Sequence, residues 1–201
     1  MEAVFVLNHF LVPQISFLME LSLNMSKLTV ITVPHQTLRE VAQPVTEFND
    51  ELKTFADNML ETMYAEKGIG LAANQVNELR RVIVVDVSEE RNEPIVFVNP
   101  EIIEATDESL ECEEGCLSLP SMYSGPIPRA AKIKVRAQDV TGEFFELVAD
   151  DLLARCIQHE IDHLDGILFI DYLSRLKQER VLKKLARHLR DLEKEKEAVN
   201  A

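Results

Sequence analysis

Two histidines four residues apart, with a glutamate directly after the first, stand in Gln158-His159-Glu160-Ile161-Asp162-His163. On a helix, residues i and i+4 share one face a turn apart, so both imidazoles can reach a single metal ion and Glu160 falls beside it as a general base. Such a pair needs a third protein ligand and an open position for water. Downstream the chain becomes rich in Lys, Arg and Glu, so the better candidate lies upstream, at Cys116 in Glu114-Gly115-Cys116-Leu117-Ser118. A thiolate and two neutral imidazoles leave a divalent ion with a net charge of about +1. That is a weaker Lewis acid than a three-histidine site, which makes an adjacent carboxylate base more useful. Sulfur and nitrogen donors suit Fe(II), Ni(II), Co(II) and Zn(II), not Mg or Ca.

Hydrolysis of an acyl group also needs donors where negative charge develops on the carbonyl oxygen. The backbone N–H of Leu117, next to the candidate ligand, is placed for this by sequence. A second donor could come from Gly68-Ile69-Gly70-Leu71-Ala72-Ala73-Asn74-Gln75. Taken alone, that stretch reads as a tight turn with close backbone packing, and it lacks the spacing of a phosphate loop.

These residues need elements to hold them. The histidines belong to a helix expected from about Asp150 to Asp165, with Asp150 or Asp151 as its N-cap and Gly166 just past its end. Leu152, Cys156, His159 and His163 fall on one stripe, and Leu153, Ile157, Ile161 and Leu164 on an adjacent stripe facing the core. Asp162 turns away from the ligands and fits a salt bridge with Arg129. Leu52, Phe55, Ala56, Met59, Leu60 and Met63 predict an earlier helix that Gly68 would end. Strand-like segments are Lys27 to Val33, Arg81 to Val87, Ile95 to Val98 and Glu108 to Glu111. Lys132 to Gln138 and Glu143 to Val148 predict a hairpin about Asp139-Val140-Thr141-Gly142. From Ser174 to about Glu197, Leu176, Leu182, Leu185, Leu189 and Leu192 mark an amphipathic helix that docks on its own domain. The pattern predicts an α+β fold, with antiparallel or mixed sheets around a central metal-binding helix and a C-terminal amphipathic helix.

The 201 residues, 46% hydrophobic and 28% charged, fit one globular domain. A formal charge of −14 argues against a general nucleic-acid binder. Residues 174–201 carry nine Lys or Arg and five Asp or Glu, so this tail alone is locally basic. Cys112, Cys116 and Cys156 are an odd set, read as free thiols in a reducing compartment. Residues 1–24 are apolar but carry no Lys or Arg, which fits neither a signal peptide nor a mitochondrial presequence. Polar residues and Pro13 interrupt them as a membrane span. They are read as an extension or a misassigned start ahead of Met25, with residues 25–173 as the catalytic unit and residues 174–201 part of the same domain. His9, His35 and His188 receive no role.

Residues 68–75, 114–118 and 158–163, taken together and in order, resemble the three motifs of the peptide deformylase family. The resemblance extends from Met25 to the final helix and includes Val33-Pro34, Leu119-Pro120, Pro128-Arg129-Ala130 and the segment 171–174. It implies that Cys116, His159 and His163 bind one divalent metal per chain, Fe(II) first, with Ni(II), Co(II) or Zn(II) as alternatives. It further implies that Glu160 handles the proton and that Gln75 with the Leu117 amide steadies the oxyanion. The implied reaction is hydrolysis of the N-formyl group from the initiator methionine of new polypeptides, releasing formate, by a monomer in the cytoplasm. Its partners would be formyl-methionyl nascent chains and the ribosome surface, met through the C-terminal helix, with no membrane.

An apolar slot for methionine is expected from Leu152, Cys156, His159 and Ile69, with Cys112 as a further wall. The peptide beyond it would lie as an added strand against Ile69, Gly70 and Gly115. Two departures from relatives stand out. Residues 121–125 carry no basic residue, and Arg155 occupies an apolar position near the pocket rim, where it would favour an acidic or carboxylate-bearing end of the substrate. Two other classes compete: a His-Glu-x-x-His metallopeptidase, against which the upstream Cys116 speaks, and a non-catalytic ribosome-docking paralogue, against which the intact site speaks.

Overall fold

A strand with apolar residues on both faces must be covered on both, and Val82-Ile83-Val84-Val85 is such a run. In the computed structural model, which describes residues 27–199, it forms strand β2 (Val82–Val85) with all four residues buried. A five-stranded sheet runs in the order β1-β2-β3-β6-β7, where β1 is Gly70–Ala72, β3 Ile95–Ala105, β6 Lys132–Gln138 and β7 Phe144–Asp150. Its pairings are all antiparallel. The only parallel pairing among the described residues is an isolated bridge from Gln43 to Arg80. A second, two-stranded sheet joins β4 (Ser109–Cys116) to β5 (Leu119–Ala130).

Three helices cover these sheets: α1 (Asp50–Ala65), α2 (Asp151–Leu164) and α3 (Arg175–Val199). The strand alternation explains the layering. Ile83 and Val85 of β2 point to one face, with Phe97, Val135, Ile157, Ile161 and Leu164, which seats α2 on the sheet. Val82 and Val84 point to the other face, where Leu52, Met59 and Met63 of α1 cover them. A third cluster joins Leu119, Met122 and Ile127 of β5 to Phe169, Ile170 and Leu185. This is the α+β arrangement expected, with α2 at its centre and α3 docked through Leu182, Leu185 and Leu189. Leu176 lies outside that stripe and is 58% exposed.

Both α1 and α2 end in the same hydrogen-bonded turn. After α2, Gly166 takes a left-handed φ of 75°, its N–H donates to His163 O, and Ile167 N–H donates to Asp162 O. A Cβ on Gly166 would lie 2.6 Å from the Arg39 carbonyl, so glycine is required there. After α1 the left-handed residue is Lys67, at φ 59°, and not Gly68 as expected. Gly68 sits one position on, donating to Met63 O, and a Cβ there would press on Leu117. Asp150 holds the N-cap position of α2 as expected, but its side chain makes no capping hydrogen bond.

Other expectations change for identifiable reasons. Lys27 to Val33 is no strand, because its amides reach separate partners: Leu28 to the Thr62 hydroxyl, Ile31 to Gln75 O and Val33 to Ser118 O. The expected Ile95–Val98 strand continues to Ala105, because a bulge carries it past Pro100. Asn99 sits there at φ 53°, and its side chain bonds both backbone groups of Val45. The strand-like region at 108–111 runs on to Cys116. Strand β5 went unread because Pro120, Pro126 and Pro128 argue against a strand. In a two-stranded sheet each strand has a free edge, where a proline need not break the ladder. The expected extension, residues 1–24, lies outside the described residues.

Candidate metal centre

Helix α2 sets His159 and His163 on one face with ring centroids 4.9 Å apart, edge to face. The end of β4 carries Cys116 to them across the fold. One ligand atom from each of Cys116, His159 and His163 lies within 4.8 Å of the other two. His163 Nε2 is 3.1 Å from Cys116 Sγ, and His163 Nδ1 is buried without a hydrogen-bond partner among the described residues.

The other ring is fixed from behind. His159 Nδ1 donates to Glu114 Oε2 at 2.8 Å, which leaves Nε2 as the atom that could ligate a metal. Glu114 is in turn gripped by Arg129, through Nε to Oε1 at 2.7 Å and Nη2 to Oε2 at 2.9 Å. The expected bridge from Arg129 to Asp162 is present at 2.6 Å. The Arg129 guanidinium also lies over the Tyr172 ring, whose hydroxyl donates to Asp162. Sequence reasoning assigned no function to Glu114, although it stands in the quoted motif two residues before Cys116. It also missed Gln158, whose amide bonds both backbone groups of Ala130 and ties α2 to the end of β5.

Electrostatics fit a cation here. Burial raises the Glu114 carboxyl, but the Arg129 and His159 hydrogen bonds outweigh it and hold the group at about 2. Burial disfavours the charged form of both imidazoles. At His159 the bonds with Cys116 and Glu114 overcome burial and raise its pKa well above the ordinary value, whereas at His163 burial prevails and lowers it. A sulfur and a carboxylate thus draw positive charge to His159, where a divalent ion can take the place of a proton. The residues therefore fit a thiolate and bis-imidazole metal site.

Glu160 is 4% exposed, Oε2 has no hydrogen-bond partner among the described residues, and burial pushes its carboxyl up to about 7. A Cβ on Gly70 would collide with this carboxylate and come 2.7 Å from Cys156 Sγ, so only glycine lets β1 pass so close. The glycine-rich stretch is therefore a short strand beside the site, followed by a 3-10 turn, Ala73–Val76. Within that turn Gln75 is held by its Oε1, which accepts from Ala72 N at 2.8 Å. Its Nε2 faces Cys116 Sγ at 3.4 Å and Ser118 Oγ at 3.3 Å.

A cavity of about 550 Å³ opens onto these groups, lined by Ile69, Gly70, Gln75, Gly115, Cys116, Leu117, Leu152, Cys156, His159 and Glu160. The candidate substrate-binding residues are thus brought together. Cys112 is not among them, because its sulfur turns to the Ile127 carbonyl inside the β4–β5 pair. Cys156 is buried, and burial raises its thiol well above the ordinary range, as befits an inert wall.

The family model described as polypeptide deformylase matches residues 27–179. A peptide deformylase from Legionella pneumophila is 42% identical and superposes with a TM-score of 0.79, over 82% of this chain and 96% of that one. One from Synechococcus elongatus, solved in complex with actinonin, is 41% identical with a TM-score of 0.74, over 78% and 86% of the two chains. One from Thermotoga maritima is 42% identical with a TM-score of 0.71, over 74% and 99%.

Proposed function

This chain belongs to the peptide deformylase family and removes the N-formyl group from nascent polypeptides, and we propose that Cys116, His159 and His163 hold its metal ion while Glu160, Gln75 and Leu117 act on the formyl group. The observation that carries this assignment is the buried Glu160 carboxylate, whose Oε2 has no hydrogen-bond partner among the described residues and which lines the same cavity as Cys116 and His159. When bound, a divalent ion supplies Lewis acidity, lowering the pKa of a water and polarising the formyl carbonyl. Glu160 takes the proton from the water that attacks the formyl carbon and delivers it to the amine as the C–N bond breaks, giving formate and a free methionine N-terminus. Gln75 Nε2 and the Leu117 amide receive the oxyanion. The bond from Ala72 to Gln75 Oε1 keeps the amide donor turned towards Cys116.

The methionine side chain fits between Leu152, Cys156 and Ile69. The rest of the peptide lies extended along Ile69, Gly70 and Gly115, a reading supported by β1 being an edge strand of its sheet. Fe(II) is the working ion in this proposal, and Ni(II), Co(II) and Zn(II) fit the same donors. A thiolate-ligated Fe(II) centre is air-sensitive, because oxidation of the metal or of Cys116 destroys it. The enzyme works as a cytoplasmic monomer on formyl-methionyl nascent chains. Residues 25–173 form the catalytic unit, and α3, docked by its leucines, belongs to the same domain and turns a basic surface towards the ribosome. No helix among the described residues is long and apolar enough to cross a membrane.

The test is formate release from formyl-Met-Ala-Ser by protein prepared without oxygen, then stripped and reloaded with Fe(II), Ni(II) or Zn(II). Release should require metal and fall by a factor of about 10² to 10⁴ in Glu160→Ala, with metal content unchanged. Full activity in Glu160→Ala would remove Glu160 from the mechanism. Cleavage of unformylated Met-Ala-Ser would favour a peptidase.

A further inference from the structure

Four charged side chains outside the catalytic group and its supporting Glu114 line the cavity: Glu66, Lys67, Glu113 and Arg155. Glu66, Lys67 and Glu113 are exposed, and Glu66 pairs with Lys27. Water screens these three groups well. Arg155 differs, because it is partly buried, lines the cavity with Leu152 and Cys156, and has no hydrogen bond or ion pair with any described residue. Asp151, one helical turn before it, is exposed and unpaired with it. The other arginines that are not exposed each meet a carboxylate: Arg80 with Glu51, Arg81 with Asp165 and Arg129 with Glu114. A half-buried arginine without an anion presents a planar fork that suits a carboxylate.

Its position along α2 says which carboxylate. Arg155 precedes His159 by one turn, about 6 Å along the helix axis towards the N-terminus. An extended peptide advances about 3.3 Å per residue, so a chain that has its formyl group at His159 and runs along the cavity towards the N-terminus of α2 reaches Arg155 with its second or third residue. We infer that Arg155 is a specificity-determining residue, which makes the enzyme prefer nascent chains with Asp or Glu at the second or third position. This rests on the deformylase reading of the cavity. The competing account is that the aliphatic stem of Arg155 merely covers apolar surface while its head stays in water.

The experiment uses nickel-loaded enzyme and formyl-Met-Ala-Ser analogues with Asp, Ser or Lys at the second or the third position. Wild type should favour Asp over Lys by about three- to tenfold in kcat/KM, the size of one partly exposed charge pair, and chiefly through KM. Arg155→Gln should bring the ratio near one, Arg155→Glu should invert it, and 0.5 M NaCl should compress it in wild type. A ratio unchanged across wild type and both variants would overturn the inference and leave Arg155 as a packing stem. If Arg155→Glu fails to load nickel, the Arg155→Gln ratio and the salt series decide. Wild type that releases no formate from formyl-Met-Ala-Ser would instead remove the deformylase assignment itself.

Discussion

Glu114 Oε2 accepts the His159 Nδ1 proton at 2.8 Å while the same oxygen accepts Arg129 Nη2 at 2.9 Å, so a ring that faces the metal centre is aimed by a carboxylate that is itself held from behind. The arrangement fixes the tautomer of His159 and raises the electron density at its Nε2.

Glu114→Gln keeps the size of the side chain but loses its charge and turns an N–H towards at least one of the three donors it now accepts from. Metal affinity should fall about 10- to 100-fold. Competition with a chromogenic chelator would measure this directly, and an affinity equal to wild type would show that His159 needs no such support.

Arg129 is 4% exposed and forms ion pairs with both Glu114 and Asp162. Arg129→Met leaves two carboxylates underneath without a counter-charge, and urea unfolding should show a loss of about 3–5 kcal/mol. Adding Glu114→Gln and Asp162→Asn to the same chain should restore part of that stability, since the uncompensated charges cause the loss.

Gly70→Ala drives a methyl group towards Glu160 and to within 2.7 Å of Cys156 Sγ. A displaced base should lower kcat by about 100-fold. Metal binding should persist, because Cys116, His159 and His163 sit on other elements. Normal kcat in this variant would show that β1 can retreat from α2.

Tyr64 donates to Asp86 at 2.5 Å, on the loop whose amide at Asp86 holds the Ile69 carbonyl. Burial first, and then the Asp86 carboxylate, push the phenol up to about 12. Because the folded value exceeds the unfolded one of 10.0, the stabilisation is whole below about pH 10 and disappears as pH rises through 12. The difference in urea midpoint between wild type and Tyr64→Phe should therefore shrink from pH 9 to pH 11.5. Phenolate absorbance should show a step near 12 that Tyr64→Phe lacks.

The two candidate metal-binding histidines and the candidate base beside them were legible in the sequence because i and i+4 on one helix are adjacent whatever else the chain does. The apolar stripes beside them, the glycine that ends α2 and the 132–150 hairpin are local for the same reason. Strand β5 was hidden because its prolines read as breaks until the free edge of a two-stranded sheet gave them room. The turn after α1 places Lys67 in the left-handed position, and a Cβ at Gly68 would meet Leu117, nearly fifty residues away, a contact that no local pattern shows. Glu114 gained its role only through contacts with His159 and Arg129, at separations of 45 and 15 residues. The sequence by itself determined which residues could bind a metal and on which helix two of them lie, since hydrogen bonding within a helix sets that spacing. Only the tertiary structure decided how Cys116 meets them, how Glu114 aims His159 and how Arg155 is left without a partner among the described residues, because each depends on chain segments brought together by burial of the core.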